Sequence, residues 1–148
     1  VENAPLSPKP KQGHLPIVIG ARGPRMLKLV ARYADTWNCH GSPDEVAARG
    51  ETLREACIAI GRDPGSIRWS LYGYASVLGS DPFASVDTFR RIVEPYRAVG
   101  VREVIFELPD RYDERVLRGI VEDVLPEWRY SSGRNALNVE RGQPTCRW

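Results

Sequence analysis

The chain has few of the residues on which metal centres, disulfide frameworks and membrane anchors depend. Its 148 residues include three cysteines and two histidines. No apolar run approaches the roughly twenty residues that span a bilayer. The cysteines lack CxxC spacing, so we expect reduced thiols and no zinc site. The two histidines, His14 and His40, argue against a multi-histidine metal centre.

The chain also lacks a large excess of either positive or negative charge. The formal net charge is +2 at pH 7, and no basic stripe with interleaved aromatic residues occurs, which argues against a nucleic-acid partner. The N-terminal segment has no apolar core and is unlike a secretory signal. Together these features predict a cytoplasmic protein that binds neither nucleic acid nor membranes.

Composition divides the chain into three parts. Residues 1–14 (VENAPLSPKPKQGH) contain three prolines and little apolar material, which predicts a linker or extended arm. Residues 15–130 alternate apolar runs with turn signals and predict one folded domain. Residues 131–148 are polar without periodicity and predict a flexible tail.

The stretch around which the domain is organised covers residues 15–27 (LPIVIGARGPRML). A β-branched run predicts a short strand at residues 17–19 that is covered on both faces. Gly20 and Gly23 then bracket a tight turn, and Pro24 suits the first position of a helix. Free amides and the positive dipole end at such a helix start favour an anion.

Two interpretations of this turn stay open at the level of spacing. It is a phosphate cradle with Arg22 and Arg25 as charge partners, or it is an ordinary connection with solvated arginines. Spacing does not decide between them, because anion binding needs only a helix start and a permissive loop.

A second strand and helix follow immediately. Residues 36–39 (TWNC) predict a short strand, and Ser42 with Glu45 predicts a capping box at the next helix. Gly50 lies inside that helix, where glycine costs roughly 1 kcal/mol relative to alanine. We therefore expect the helix to form with a small loss of stability at Gly50.

The longest predicted strand covers residues 67–78 (IRWSLYGYASVL). Strand alternation places four hydroxyl side chains on one face, namely Ser70, Tyr72, Tyr74 and Ser76. These hydroxyls either line a wet pocket or bond to the backbone of an amphipathic packing face.

Two helices and one strand complete the pattern. The third helix is expected to kink or end early at Pro95, which removes one helical hydrogen bond. Residues 101–108 (VREVIFEL) predict the last strand, with Glu107 at its C-terminal end, where ligands gather in parallel sheets. Asp113 can cap a final helix, which Pro126 is expected to stop.

Four consecutive strand-then-helix units predict an α/β fold with a parallel sheet and right-handed crossovers. The units form either a small open sheet or half of an eight-unit barrel, because four units do not close a standard barrel. Composition and spacing do not choose between these two architectures.

Residues 3–38 (NAPLSPKPKQGHLPIVIGARGPRMLKLVARYADTWN) resemble the luciferase-like monooxygenase superfamily of flavin- and deazaflavin-dependent enzymes. In that family a PKP arm precedes a PIxIGGxGPRxLRLAARYADGWN block. A helix then ends in a GRDP turn, here residues 61–64. Residues 100–106 (GVREVIF) are similar to the family's final-strand segment GVDEVIF, and the resemblance extends to about Trp128.

This resemblance implies the C-terminal half of a TIM-type (β/α)8 barrel, roughly strands five to eight. Family members bind FMN or coenzyme F420 at the C-terminal ends of the strands. By motif position, the glycine turn helps to hold the cofactor phosphate, and the TWN block lies at the top of the next strand. Trp37 is alternatively a packing aromatic. The cofactor-binding residues implied are Gly20, Ala21, Arg22, Gly23, Arg25, Thr36, Trp37 and Asn38.

The sequence departs from the family at Ala21 and Thr36, where glycine is usual, so the turn is expected to differ slightly. The family's N-terminal half, which carries much of the ring pocket and most acid/base residues, has no counterpart in these residues. The resemblance therefore assigns no catalytic residue here. The candidates for the substrate-pocket wall are Tyr74, Ser76 and Glu107.

The resemblance implies the C-terminal portion of an F420- or FMN-dependent oxidoreductase that acts on a small-molecule substrate. F420 is favoured because the glycine block and the GRDP turn commonly occur together in the F420 branch. Activity of the chain alone is not expected. The alternatives are an inactive half-barrel that self-associates or completes a partner subunit, and a small stand-alone domain that binds a phosphate ligand.

Overall fold

The computed structural model describes residue 9 and residues 11–130, with the side chains of residues 75, 76, 129 and 130 excluded. The predicted arm, residues 1–14, is therefore described only in part, and its residues 11–14 are exposed bends. The predicted tail, residues 131–148, lies outside the described residues.

Strands and helices alternate along the described chain. The strands are β1 (Val18–Gly20), β2 (Thr36–Cys39), β3 (Arg68–Gly73) and β4 (Glu103–Phe106). The α-helices are α1 (Pro24–Tyr33), α2 (Pro43–Ile58), α3 (Ala75–Leu78), α4 (Val86–Ala98), α5 (Glu114–Gly119) and α6 (Leu125–Tyr130). A 3-10 turn covers Pro64–Ser66, and a π-helical segment, Ile120–Val124, joins α5 to α6.

All four strands are parallel and lie in the order β1-β2-β3-β4. An open doubly wound sheet reverses its strand order at some point, and this sheet does not. With right-handed crossovers, an unreversed order places every connecting helix on the same face. The predicted run of four βα units in a parallel sheet is confirmed, and it has the architecture of half a TIM-type barrel.

The helices cover one face of the sheet, here called the covered face. Its central side chains are buried: Trp37 and Cys39 of β2, and Trp69 and Leu71 of β3. The rings of Trp37 and Trp69 meet edge to face with centroids 5.0 Å apart. Such aromatic contacts add to the apolar burial that holds helices on a sheet.

Gly50 of α2 has a packing role that helix propensity alone does not reveal. A Cβ at position 50 would lie 1.9 Å from Cη2 of Trp69, which is closer than any real contact. The helix therefore accepts the propensity cost of glycine because the indole ring occupies the space of a side chain.

The opposite side of the sheet, here called the open face, is polar at its centre. Register pairing aligns Asn38 with Ser70 and Ser70 with Glu103 on this face. Val18 of β1 is 60% exposed there, so the predicted covering of the first strand on both faces is wrong. Val18 is exposed because β1 lies at an edge of the described sheet and pairs only with β2 among the described strands.

Three predicted element ends also differ. β3 ends at Gly73 instead of residue 78, because the amides of Val77 and Leu78 turn back to bond the carbonyl of Tyr74. For Pro95 we expected a kink or an early end of the helix; the early end is wrong, because α4 continues to Ala98.

The helix around Pro126 continues to Tyr130, so the prediction that Pro126 stops it is wrong. The π-helical segment directly before the proline gives the reason. There the amide of Leu125 bonds the carbonyl of Ile120, five residues back. The wider turn makes room for the proline ring, which would otherwise press on the preceding turn.

Candidate functional site

The four strands of a parallel sheet end at the same edge, which we call the carboxyl end of the sheet. The turn formed by residues 20–23 leaves β1 at this end and leads into α1. Glu107 directly follows β4 at the same end. Ligands of α/β proteins gather at the carboxyl ends of parallel strands, so this end is the candidate site.

Two hydrogen bonds tie the turn to β2. The amide of Ala21 donates to the carbonyl of Asn38 at 3.3 Å, and Nε1 of Trp37 donates to the carbonyl of Ala21 at 2.9 Å. Trp37 is wholly buried, as expected if it acts as a packing aromatic. From inside the core, its indole supports the turn through the bond to Ala21. Neither Gly20 nor Gly23 has a positive φ, so neither glycine is required here by a left-handed backbone conformation.

The N-terminus of α1 differs from those of the other long helices. Its N-cap residue, Gly23, makes no side-chain capping bond, and its first turn contains no acidic residue. By contrast, Ser42, Ser85 and Asp113 each accept a bond from the first turn of their helices. The first amides of α1 after Pro24 therefore receive no hydrogen bond from a side chain of the N-cap residue.

Space is available at this helix end. Gly23 has an extended backbone with φ of −86°, and a Cβ placed on it would meet nothing within 4 Å. Glycine is therefore not needed here for backbone conformation. Its effect is to leave the approach to the helix N-terminus clear.

The two arginines of the turn region point in different directions. Arg22 is exposed and lies close enough to His40 and Glu45 to affect their ionisation. Burial, and then the charges of Arg22 and Arg49, lower the pKa of His40. Arg25 instead lines a shallow cleft on the outer side of α1 with Met26 and Leu29.

His40 was not identified from the sequence. It directly follows β2, at the same end of the sheet as the turn, and it is half-buried. Its position one residue after a predicted strand was the available signal, since residues in that position face ligands in parallel sheets.

The TWN block does not lie together at the carboxyl end. Thr36 lies toward the amino end of the sheet because it is the first residue of β2. Its side chain is buried. Asn38 lies nearer the turn and faces the open side. The block spans three of the four residues of β2, so its side chains point to alternate faces of the sheet and lie at different positions along the strand.

Asn38 belongs to a polar chain across three strands of the open face. Its Nδ2 donates to Oγ of Ser70 at 3.2 Å, and that hydroxyl donates to Oε1 of Glu103 at 3.2 Å. Arg68 approaches the other carboxylate oxygen of Glu103 at 3.6 Å. Ser70 is fully buried by these neighbours, and the chain satisfies it.

Two predicted pocket residues are linked through a third that was not selected. The hydroxyl of Tyr72 donates to Oε1 of Glu107 at 2.5 Å, and the Tyr72 and Tyr74 rings have centroids 5.8 Å apart. The bond to Glu107 raises the pKa of Tyr72. The side chain of Ser76 lies outside the described residues.

The signal for Tyr72 was its place on the same strand face as Ser70, near the strand end. Its partner Glu107 is exposed, and among residues 9 and 11–130 it forms no ion pair. The pair presents a tyrosine hydroxyl and a carboxylate at the carboxyl end of the sheet.

The described cysteines are buried free thiols. Burial raises the pKa of Cys39 to about 12 and also raises that of Cys57, which keeps both protonated at neutral pH. Within the described part of the chain, no group of three or more histidine, cysteine or acidic side chains could hold a metal ion.

Comparison with known proteins identifies the family. The family model for luciferase-like monooxygenases matches residues 1–124. The chain belongs to this family. An uncharacterized protein of Mycobacterium tuberculosis is 31% identical over 105 residues, which are 70% of this chain and 33% of the relative. A phthiodiolone/phenolphthiodiolone dimycocerosates ketoreductase of Mycobacterium kansasii is 39% identical over 70 residues, covering 45% of this chain and 19% of that enzyme.

A solved structure supports the fold. The coenzyme F420-dependent tetrahydromethanopterin reductase of Methanopyrus kandleri aligns with a TM-score of 0.59 at 16% identity, over 77% of this chain and 51% of that chain. Our chain spans about a third of the length of the first curated relatives that it matches. None of the helices described is both long and apolar enough to cross a membrane.

Proposed function

We propose that this chain supplies the phosphate-binding side of an F420- or FMN-dependent oxidoreductase of the luciferase-like family. One observation carries the proposal: the N-terminus of α1 lies at the carboxyl end of the sheet with no cap of its own. A phosphate group would accept hydrogen bonds from the amides of Arg25 and Met26 and would gain from the helix dipole.

The surrounding residues fit a phosphate in charge and shape. Arg22 is exposed beside the turn and adds a positive charge. Gly23 leaves the approach open, and the bonds of Ala21 and Trp37 hold the turn in place. Arg25 would have to swing from the cleft on the outer side of α1 to add a second charge, and Thr36 and Trp37 would act only through packing.

The substrate side of the proposal rests on Tyr72, Tyr74 and Glu107. A flavin or deazaflavin supplies hydride exchange when it is bound, and the protein supplies binding and orientation. The Tyr72 hydroxyl and the Glu107 carboxylate would bind a polar group of a small-molecule substrate at the pocket wall. Ser76 keeps the same proposed role, and no residue of the chain is assigned a catalytic step.

F420 is the preferred cofactor. The glycine block and the GRDP turn favour it, and the structural neighbour from Methanopyrus kandleri is named as an F420-dependent reductase. FMN is the alternative, since both molecules carry a phosphate and a tricyclic ring. A cytoplasmic location is part of the same proposal.

Calorimetric titration of the 148-residue chain with F420, FMN and riboflavin tests the phosphate site. Riboflavin is FMN without its phosphate, so the pair isolates the contribution of the turn. We expect F420 and FMN to bind at least about tenfold more tightly than riboflavin. Equal affinities for FMN and riboflavin, or no binding of either phosphate-bearing cofactor, would overturn the proposal.

A single substitution sharpens the test. Gly23→Asp would place a carboxylate cap on α1 that occupies the amides and repels phosphate, while the backbone at position 23 accepts any residue. We expect the preference for FMN over riboflavin to disappear without loss of stability. Gly13→Asp makes the same charge change in open space before β1, and it should leave the preference intact.

A further inference from the structure

Arg22 and His40 leave the carboxyl end of the sheet beside each other. Gly20 of β1 and Asn38 of β2 are register partners, and the amide of Ala21 continues the ladder by donating to the carbonyl of Asn38. Arg22 and His40 each follow a register partner by two residues, so the parallel register brings them to the same height. We call this place, between the glycine turn and the end of β2, the basic corner.

The loop after β2, which carries His40, is held from two sides. Nη1 of Arg49 donates to the carbonyl of His40 at 2.7 Å, and the hydroxyl of Tyr96 donates to the carbonyl of Gly41 at 2.9 Å. Gly41 has a φ of +120°, a conformation that residues with side chains rarely adopt. The backbone that positions the His40 ring is therefore fixed by contacts from α2 and α4.

The His40 ring takes no part in holding this loop. Among residues 9 and 11–130, neither of its ring nitrogens has a hydrogen-bond partner, and neither is sealed off inside the protein. The residue is half-buried at the carboxyl end of the sheet. A fixed backbone that presents an unengaged imidazole is suited to binding a ligand, since a ring nitrogen can donate a hydrogen bond.

The charges around the ring leave positive charge unbalanced. Arg49 is paired with Glu45 at 3.0 Å. Arg22 is exposed, and in the described part of the chain it forms no ion pair. Burial, and then the charges of Arg22 and Arg49, hold the pKa of His40 below its usual 6.5, and Glu45 acts weakly in the opposite direction. The ring is therefore neutral at pH 7, and an anion is the ligand that the basic corner favours.

We propose that His40 hydrogen-bonds the phosphate group held at the glycine turn, with Arg22 as its charge partner. The site is that of the proposed function, on which this role of His40 rests. The ring nitrogen is the donor and a phosphate oxygen is the acceptor. Negative charge beside the ring stabilises its imidazolium form, so the ring should take up a proton from solvent as the phosphate binds. The bond then becomes charge-assisted.

The other titratable groups at this loop do not change charge near pH 7. Burial raises the pKa of Tyr96 on α4, and it raises that of Cys39 on β2 to about 12. The bond from the amide of Ser42 lowers the pKa of Glu45. His40 is therefore the group that titrates between about pH 5 and 8 at the basic corner. Because a bound anion raises its pKa, affinity should be highest at low pH and should fall as the pH rises through the bound value.

Proton NMR of the histidine rings tests this role, because the 148-residue chain contains only two histidines, His14 and His40. His14 bonds Asp35 at the amino end of the sheet and is an internal control. Sulfate is the probe, since it is a dianion like phosphate but does not titrate near neutral pH. Relative to chloride at equal ionic strength, sulfate should raise the titration midpoint of His40 by about one pH unit and leave His14 unaffected. Equal effects of the two salts on His40 would overturn the proposal.

Arg22→Gln removes the charge partner. In the free chain the titration midpoint of His40 should rise, since one repelling charge is lost, and the response to sulfate should disappear. Arg91→Gln makes the same charge change at an exposed position of α4 and should leave both properties as they are. An undiminished response to sulfate in Arg22→Gln would contradict the pairing of Arg22 with His40.

Calorimetry with FMN separates a ligand contact from a structural role. His40→Gln keeps a side-chain donor but cannot titrate, and circular dichroism checks that it folds. Relative to the unsubstituted chain at the same pH, its affinity for FMN should be about tenfold lower at about pH 5 and within about threefold at about pH 8. His14→Gln is the matched control and should bind FMN as the unsubstituted chain does. A loss of equal size at both pH values would mean that the ring acts through packing, and the proposal would fail.

The outcomes separate the role of His40 from the proposed function. If FMN binds more tightly than riboflavin while sulfate leaves His40 unchanged, the phosphate site stands and His40 is not part of it. If sulfate shifts His40 while FMN gains nothing over riboflavin, His40 stands as an anion ligand and the cofactor assignment fails. Absence of both effects would overturn both proposals.

Discussion

The two faces of one sheet have opposite characters. On the covered face, Trp37, Trp69 and Leu71 are packed against helices, and Gly50 gives up its side chain to admit an indole ring. On the open face, Asn38, Ser70 and Glu103 form a hydrogen-bonded chain between exposed apolar edges. The covered face therefore holds buried apolar core, whereas the centre of the open face is polar and its edges are exposed.

Truncation of matched side chains on the two faces gives the largest expected difference. Leu71→Ala would leave a cavity in a fully buried site and should lower the free energy of unfolding by about 3 kcal/mol. Ile105→Ala, on the open face, should cost less than about 1 kcal/mol. Chemical denaturation at concentrations where the chain is monomeric measures both. A comparable loss at Ile105 would contradict an open face in the single chain.

Gly50→Ala tests how tightly the covered face is packed. Alanine improves helix propensity, but its Cβ would clash with Trp69, so we expect a net loss of about 2 kcal/mol in the free energy of unfolding. Ala48→Gly, at an exposed position of the same helix, is the control and should lose about 1 kcal/mol. Stabilisation by Gly50→Ala would mean that the indole does not occupy this space.

Acid titration should give the smallest effect, at the poorly packed edge strand. Asp35 accepts the amide of Ile17 at 2.7 Å and contacts Nε2 of His14 at 2.9 Å. The bond from Ile17, and then that from His14, hold the pKa of Asp35 below its usual 3.8. Because the folded pKa is depressed, this carboxylate contributes stability above pH 3.8 and loses it as the pH falls through the folded value.

Asp35→Asn keeps the shape and an acceptor but removes the charge. Denaturation of both proteins across a pH series should show a constant small deficit for the variant at neutral pH. The deficit should shrink as the pH falls below 3.8. A deficit that does not change with pH would show that the charge of Asp35 is not what holds the segment before β1.

Much of the fold was predictable because it depends on local patterns. The strand at residues 36–39 and the capping box of Ser42 and Glu45 appear as expected, since caps and short apolar runs act over a few residues. The end of β3 was not predictable, because alternation continues past Gly73 while the backbone turns. The continuation of the helix through Pro126 was not predictable either, because it depends on the π-helical segment that accommodates the proline ring.

The candidate site was predictable in position more than in detail. Spacing identified the turn at residues 20–23 and Glu107, which lie at the same end of the sheet. It did not identify His40 or Tyr72, because their proximity to Arg22 and Glu107 depends on chain segments far apart in sequence. The roles of the predicted cofactor and substrate residues stay predictions until ligands are measured.

By itself the sequence determined the order of four βα units, the starts of the long helices and the family, because each depends on residues close together in the chain. Only the tertiary structure decided that the strands keep their order without reversal and that a hydrogen-bonded polar chain lies at the centre of the open face. It also decided that Trp37 faces the core. Those features arise from contacts between distant segments, and local spacing carries no record of them.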